Sequence, residues 1–271
     1  MLPGTNLCMP PDSLRDRLER LYARYNHREY VHPDPLEKIY PFEDTADREV
    51  AGLVASTLAY GSVKQILRSV EAVLGVMGES PARYLADSTP GSLARDLAGF
   101  RHRMTSGEDL AAVLEGARRA IIEHGSLNAC FLAGLKEDDP DVVGALCAFV
   151  SSLSAADPAA CAFNLADPGK GSACKRLNLY LRWMVRTDEV DPGGWSGVPP
   201  SMLIIPLDTH MFGICRALGF TSRGQADLQA AREATRGFAG IVPSDPVRYD
   251  FCLTRPGIRR EGGLEDLLRA V

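Results

Sequence analysis

Two stretches of the chain carry residue types that can do chemistry. The first, PGKGSACKRLNLYLRWMVR at 168–186, sets Gly169 and Gly171 on either side of Lys170, then Ser172, then Lys175. A glycine turn that opens a helix leaves backbone N–H groups facing outward, a cradle suited to phosphate. With Ser172 as N-cap, Lys175 falls one turn into the helix. The positive end of the helix dipole there disfavours the charged ammonium and favours a neutral, nucleophilic amine. The second stretch, MLIIPLDTHMFGICRALGF at 202–220, places Asp208 before Thr209 and His210 at the mouth of another amphipathic helix. An aspartate at that point is by type an N-cap, and Pro206 fixes the entry of the chain.

The elements that must position these groups read as helices nearly throughout. Leu14, Leu18, Leu21, Tyr22 and Tyr25 recur at helical spacing behind Asp12 or Ser13 as N-cap. Residues 28–45, interrupted by Pro33, Pro35 and Pro41, form a loop crossing between subdomains. A buried helix over 47–59 stops at Gly61, and Ser62 caps the next, VKQILRSVEAVLGVM, which ends at Gly78. Further helices are predicted near 92–100, 108–123, 126–135 and 141–153, and a short one begins at Ser244, Asp245 and Pro246. The short apolar runs at 202–206 and 241–244 suit strand or loop. The fold class is all-α.

Composition narrows the function classes. With 271 residues, 45% apolar and 24% charged, the chain holds a real core. No apolar run approaches the ~18 residues of a membrane span, and no secretory signal is visible. Seven cysteines without a C-x-x-C spacing point to free thiols in a reducing cytoplasm. The formal charge of −5 is unevenly placed: residues 168–260 hold 13 Lys and Arg against 8 Asp and Glu. Lys170, Lys175, Arg176, Arg182 and Arg186 concentrate that excess, either as a solvated helix face or as a footprint for phosphate.

Taken together, the G-x-G turn, the lysine followed by Asn178, and PLDTHMFGICRALG resemble the helix–hairpin–helix DNA glycosylase superfamily, which includes endonuclease III and the 8-oxoguanine DNA glycosylases. ASTLAYGS followed by VKQILRSVEAVLGVMG is similar to that superfamily's early helix pair, whose connecting turn enters the minor groove. The chain also resembles a bacterial family of this length with an N-L-(F/Y)-L-R-W-M-V-R motif, here Asn178 to Arg186. The resemblance implies that Lys175 attacks C1′ of a damaged nucleotide and forms a Schiff base, while Asp208 stabilises the cationic sugar. It implies phosphate binding at Gly169 and Gly171; Lys170, Ser172 and Arg176 are taken as DNA-facing beside them, and His210 either donates to a DNA phosphate or is structural at its helix terminus. Tyr60, or Ser62 beside it, would fill the gap left by a flipped base. Phe251 and Trp195 are candidates for the base pocket, each weighed against ordinary core packing.

The chemistry fits the residue types. Breaking an N-glycosidic bond develops positive charge on the sugar, which a carboxylate stabilises and an amine can capture as an imine. The expected architecture is two-lobed: a helical bundle over 36–200 ending in the hairpin, and a second lobe of 1–35 with 201–271. An active-site cleft would lie between them. No cofactor and no metal is expected. His27, His32 and Asp34 read as solvated loop, and only Cys252 lies beyond Cys215, too few for an iron–sulfur cluster. The expected partner is double-stranded DNA with a damaged base, bound by a monomer in the cytoplasm, at the nucleoid. A glycosylase that uses Asp208 and a water, and a DNA-binding protein without chemistry, are the alternatives. Arg255, Arg259 and Arg260 would extend the phosphate surface or stand as solvated charges.

Overall fold

A computed structural model describes residues 13–259. α1 (Leu14–Tyr25) begins at a capping box in which Ser13 and Asp16 satisfy each other's backbone N–H groups. Two 3₁₀ turns occupy the proline-rich crossing, and then α2 (Thr45–Thr57) starts on the Asp44 carboxylate. From Glu49 to Thr57 every residue of α2 is buried, because it lies between α10 on one side and α4 on the other. Gly61 at φ 95° turns the chain into α3 (Val63–Met77), and Gly78 at φ 72° ends it. α4 (Pro81–Asp87) and α5 (Pro90–Asp96) each begin with proline at the first helical position.

A two-residue hairpin follows, β1 (Arg101–His102) paired antiparallel with β2 (Thr105–Ser106). It leads into α6 (Gly107–His124), which packs against α7 (Leu127–Ala133), α8 (Val143–Ser154) and α9 (Pro158–Cys161). α6 and α8 touch closely: a Cβ added at Gly116 would lie 1.7 Å from the Leu153 carbonyl oxygen. α10 (Lys175–Val185), α11 (Thr209–Ala217), α12 (Leu228–Ala239) and α13 (Asp250–Arg259) complete the described chain. α1 packs on α13, and α11 on both α12 and α13.

The all-α class holds, with two local differences from the sequence reading. Ser172 is not the N-cap of α10; that position is Cys174, held in the left-handed region at φ 46°. The Ser172 hydroxyl instead accepts the Cys174 N–H at 3.2 Å, so the chain is still turning there, and Lys175 is the first residue of the helix. Second, Ser244, Asp245 and Pro246 form turns and α13 starts only at Asp250, because the Asp245 carboxylate is taken by Arg186. Of the two readings open for 202–206, strand or loop, the loop holds: Met202 ends a 3₁₀ turn (Pro200–Met202), residues 203–207 are irregular, and the Ile205 N–H donates to the Thr235 hydroxyl at 3.0 Å. Among the described residues no helix is long and apolar enough to cross a membrane, and the six cysteines are free. Asp12 and Arg260 lie outside the described residues.

Candidate active site

The first residue of α10 and the N-cap of α11 meet. Lys175 Nζ lies 3.8 Å from Asp208 Oδ2, with both side chains about one-third exposed (32% and 40%). The amine also donates to the Ala59 carbonyl at 3.3 Å, which ties it to the segment between α2 and α3. Asp208 Oδ1 meanwhile accepts the N–H groups of His210 and Met211, each at 2.9 Å. One oxygen caps α11 and the other faces the amine.

Lys175 and Asp208 line two adjoining cavities, of about 360 Å³ and 320 Å³, together with Ala59 and Tyr60. The first is walled by Val63, Ile66 and Leu179 and by one face of α13: Asp250, Phe251, Thr254, Arg255 and Ile258. The second is bounded by Asn164, Ser172, Cys174 and Arg176. Both volumes fall at the lower end of the range for small-molecule sites.

The basic run divides when placed in space. Arg182 and Arg186 are buried and share Asp191; Arg182 also binds Asp250, and Arg186 also binds Asp188 and Asp245. They form neither a solvated face nor a phosphate footprint. Coulombic attraction to these carboxylates outweighs burial and raises both guanidinium pKa values above the ordinary arginine range. Burial pushes the Asp250 carboxyl up to about 6, with Arg182 opposing the shift and Asp208 adding to it. Arg176 is partly buried, hydrogen-bonds the carbonyls of Thr57 and Phe163, and lies over the rings of Tyr60 and Phe163. Burial depresses its pKa.

The other expected residues fall in several places. Tyr60 lies at both cavities, but its hydroxyl is fixed by the His102 carbonyl at 2.6 Å and by Thr105. Ser62 is exposed at the start of α3 and makes no capping hydrogen bond. Gly169, Lys170 and Gly171 are exposed on a 3₁₀ turn outside both cavities. The Gly169 N–H donates to Asp167 Oδ1 at 2.8 Å and that of Gly171 to the Pro168 carbonyl at 2.9 Å, so both donors are engaged within the turn. His210 is half-buried with its ring against Gly257. Phe251 lines the first cavity. Trp195 does not line either cavity; it packs in the core among Phe131, Phe149 and Tyr180.

Several residues at the site were read otherwise from the sequence, or not at all. Asp34 and Arg255 form a pair at 2.6 Å in the wall of the first cavity, so Arg255 is neither a solvated charge nor part of a phosphate surface. Their separation of 221 residues leaves no local signal. Asp250, Thr254 and Ile258 do carry one, the four-residue spacing of a helical face. Next to Gly61, the tip of the β1–β2 hairpin presents Arg103 at φ 53° and Met104, which is 68% exposed. Among the described residues no three His, Cys, Asp or Glu side chains gather as a metal ion requires.

Residues 34–259 match the family model described as "Protein of unknown function (DUF2400)", and the chain belongs to that family. No curated protein matches it, and no solved structure does.

Proposed function

We propose that this protein is a DNA glycosylase that removes a damaged base and cleaves the resulting abasic site through a Schiff base. The observation that carries the reading is Lys175 Nζ at 3.8 Å from Asp208 Oδ2, in the wall common to two cavities. In the proposed reaction Lys175 Nζ bonds to C1′ of the extruded nucleotide as the C1′–N bond breaks, and the electron pair leaves with the base, which takes up a proton. Asp208 stabilises the positive charge that develops on the sugar and accepts a proton from the attacking amine. Ring opening then gives the imine, and β-elimination cuts the strand.

The finer architecture belongs to the same reading. Residues 168–171 are taken as the hairpin of a helix–hairpin–helix motif, and the first cavity as a cleft between two lobes. In support, its walls come from 33–35 and 206–258 on one side and from 59–66 and 175–182 on the other. The partner is duplex DNA. Lys170 is an exposed cation on the turn, and Arg103 and Met104 offer a cation and an apolar wedge beside Gly61.

Borohydride trapping on duplexes with an abasic site or 8-oxoguanine tests the proposal. The wild-type protein is expected to form a covalent adduct, and Lys175→Gln to form none. Equal trapping by Lys175→Gln would remove the lysine from its role. Base release without trapping in that variant would shift the chemistry to Asp208 and a water.

A further inference from the structure

The G-x-G turn has no donor to spare for a phosphate. The Gly169 N–H goes to Asp167 Oδ1 at 2.8 Å, the Lys170 N–H to the Asp167 carbonyl at 3.2 Å and the Gly171 N–H to the Pro168 carbonyl at 2.9 Å. The Asp167 carboxylate therefore stands where an anion would have to sit, and its charge repels one. Unpaired positive charge lies elsewhere. Residues 50–70 and 97–107 contain no Asp or Glu. Their cations are Lys64 and Arg68, four residues apart on α3, and Arg101 and Arg103 on the β1–β2 hairpin, and all four are exposed. None of these four side chains makes a hydrogen bond or ion pair among the described residues. Lys38, which packs near α3, differs in being paired with Glu37 and Glu71.

The hairpin is fixed on α3. His102, buried between Arg101 and Arg103, meets the Ser69 hydroxyl at 2.9 Å and the Tyr60 carbonyl at 3.0 Å. Arg103 folds over the turn into α3, where a Cβ added at Gly61 would lie 2.6 Å from its Cδ and 2.9 Å from Nη1. Lys64 lies between Val63 and Ile66, which line the first cavity with Gly61. The four cations thus sit on two joined elements that border the cavity of Lys175 and Asp208. Grouping like charges without counter-ions opposes folding, because they repel one another. On a chain of net charge −5, a field of one positive sign is suited to attract a polyanion and to place it.

We infer that the sugar–phosphate backbone of DNA is held by Lys64, Arg68, Arg101 and Arg103, on α3 and the β1–β2 hairpin, and not by the G-x-G turn. The inference rests on the glycosylase reading above and gives it a partner surface other than the one the sequence resemblance implies. A strand held there runs past Tyr60 and Gly61, so the reacting nucleotide enters the first cavity from its 59–66 side. Phosphate contacts fix register and orientation without carrying sequence information, so this surface positions DNA and does not choose the base.

Binding of a fluorescein-labelled undamaged duplex, followed by anisotropy between about 50 and 200 mM KCl, tests this. Each of Lys64→Gln, Arg68→Gln, Arg101→Gln and Arg103→Gln is expected to flatten the slope of log K against log salt by ~1, and the fourfold variant by ~4. Lys170→Gln should flatten it by less than any of the four. Arg119→Gln, which removes an exposed and unpaired cation from α6, should leave the slope at the wild-type value. The substituted side chains are exposed, so the urea midpoints should match that of the wild type and report an intact fold. A fourfold variant with the wild-type slope would overturn the surface, as would a Lys170→Gln or Arg119→Gln effect equal to that of the four. Wild-type base release and trapping, measured beside the binding, would in that case leave the glycosylase reading standing. Their absence, with a slope that still depends on the four cations, would overturn the glycosylase reading and leave the surface to a DNA-binding protein without chemistry. Absence of binding, base release and trapping together would overturn both.

Discussion

Lys175 Nζ stands 3.8 Å from Asp208 Oδ2, while Oδ1 of the same carboxylate caps α11 through the N–H groups of His210 and Met211. Capping and chemistry are therefore separable by substitution. Asparagine at 208 keeps an oxygen for the cap and removes the charge facing the lysine, so Asp208→Asn should unfold within ~0.5 kcal/mol of wild type. Base release should nevertheless fall by ~100-fold or more. Asp208→Ala loses the cap as well and should be less stable by ~1 kcal/mol. Urea unfolding of the three proteins beside a base-release assay checks this. Equal destabilisation by both substitutions would show that capping does not pass through Oδ1 as the geometry indicates.

The contrast between Asp208 and Arg182 shows how far the sequence could be read. Asp208 was legible because its neighbours are local: the apolar run before it, Pro206, and the helix it starts. The periodicity of α1, α2, α3 and α6 was legible for the same reason. Arg182 and Arg186 looked like members of a basic surface, since a charge count sees neither burial nor distant partners. Asp188 and Asp191 are near in sequence, but two further carboxylates, Asp245 for Arg186 and Asp250 for Arg182, lie 59 and 68 residues further on, and only the packing of the chain around the start of α13 brings them in. The start of α10 failed differently. Ser172 has the right type for an N-cap, but its hydroxyl is spent on a turn, and a cysteine in a left-handed conformation takes the position.

Asp191 is the centre of that buried network. It is fully buried and binds both Arg182 and Arg186. Burial raises its pKa, the two guanidinium groups opposing the shift. Asp191→Ala leaves two buried cations short of a carboxylate, a change that costs roughly 3–5 kcal/mol in comparable sites. Arg182 is also the group that holds Asp250 at the first cavity, so its displacement should reach the site. The expected result is a large drop in the urea midpoint for Asp191→Ala, and a smaller one for Asp191→Asn, which keeps an acceptor oxygen. A loss below about 1 kcal/mol in Asp191→Ala would mean that Asp188, Asp245 and Asp250 suffice without it.

His102 links stability to pH next to the same site. Its ring is fully buried between the Ser69 hydroxyl, 2.9 Å from Nδ1, and the Tyr60 carbonyl, 3.0 Å from Nε2. A carbonyl can only accept, so Nε2 carries the proton and Nδ1 accepts from the serine. Burial lowers the pKa of this histidine below its ordinary 6.5, against the pull of the backbone carbonyls, with Arg103 and Arg176 lowering it further. The sign follows from proton counting. Above pH 6.5 the ring is neutral in both folded and unfolded chains and adds no pH dependence. As pH falls below 6.5 the unfolded chain takes up a proton that the folded chain refuses, so stability declines until the folded pKa is passed. Asp250 contributes in the opposite sense: its raised pKa means that lowering the pH through about 6 relieves a buried charge. The His102 contribution is isolated by comparison with His102→Gln, whose amide can donate to Tyr60 and accept from Ser69 without titrating. Between pH 7.5 and 5.5 the wild-type melting temperature should fall relative to that of the variant. A difference between the two that stays constant across this range would mean that His102 does not take part.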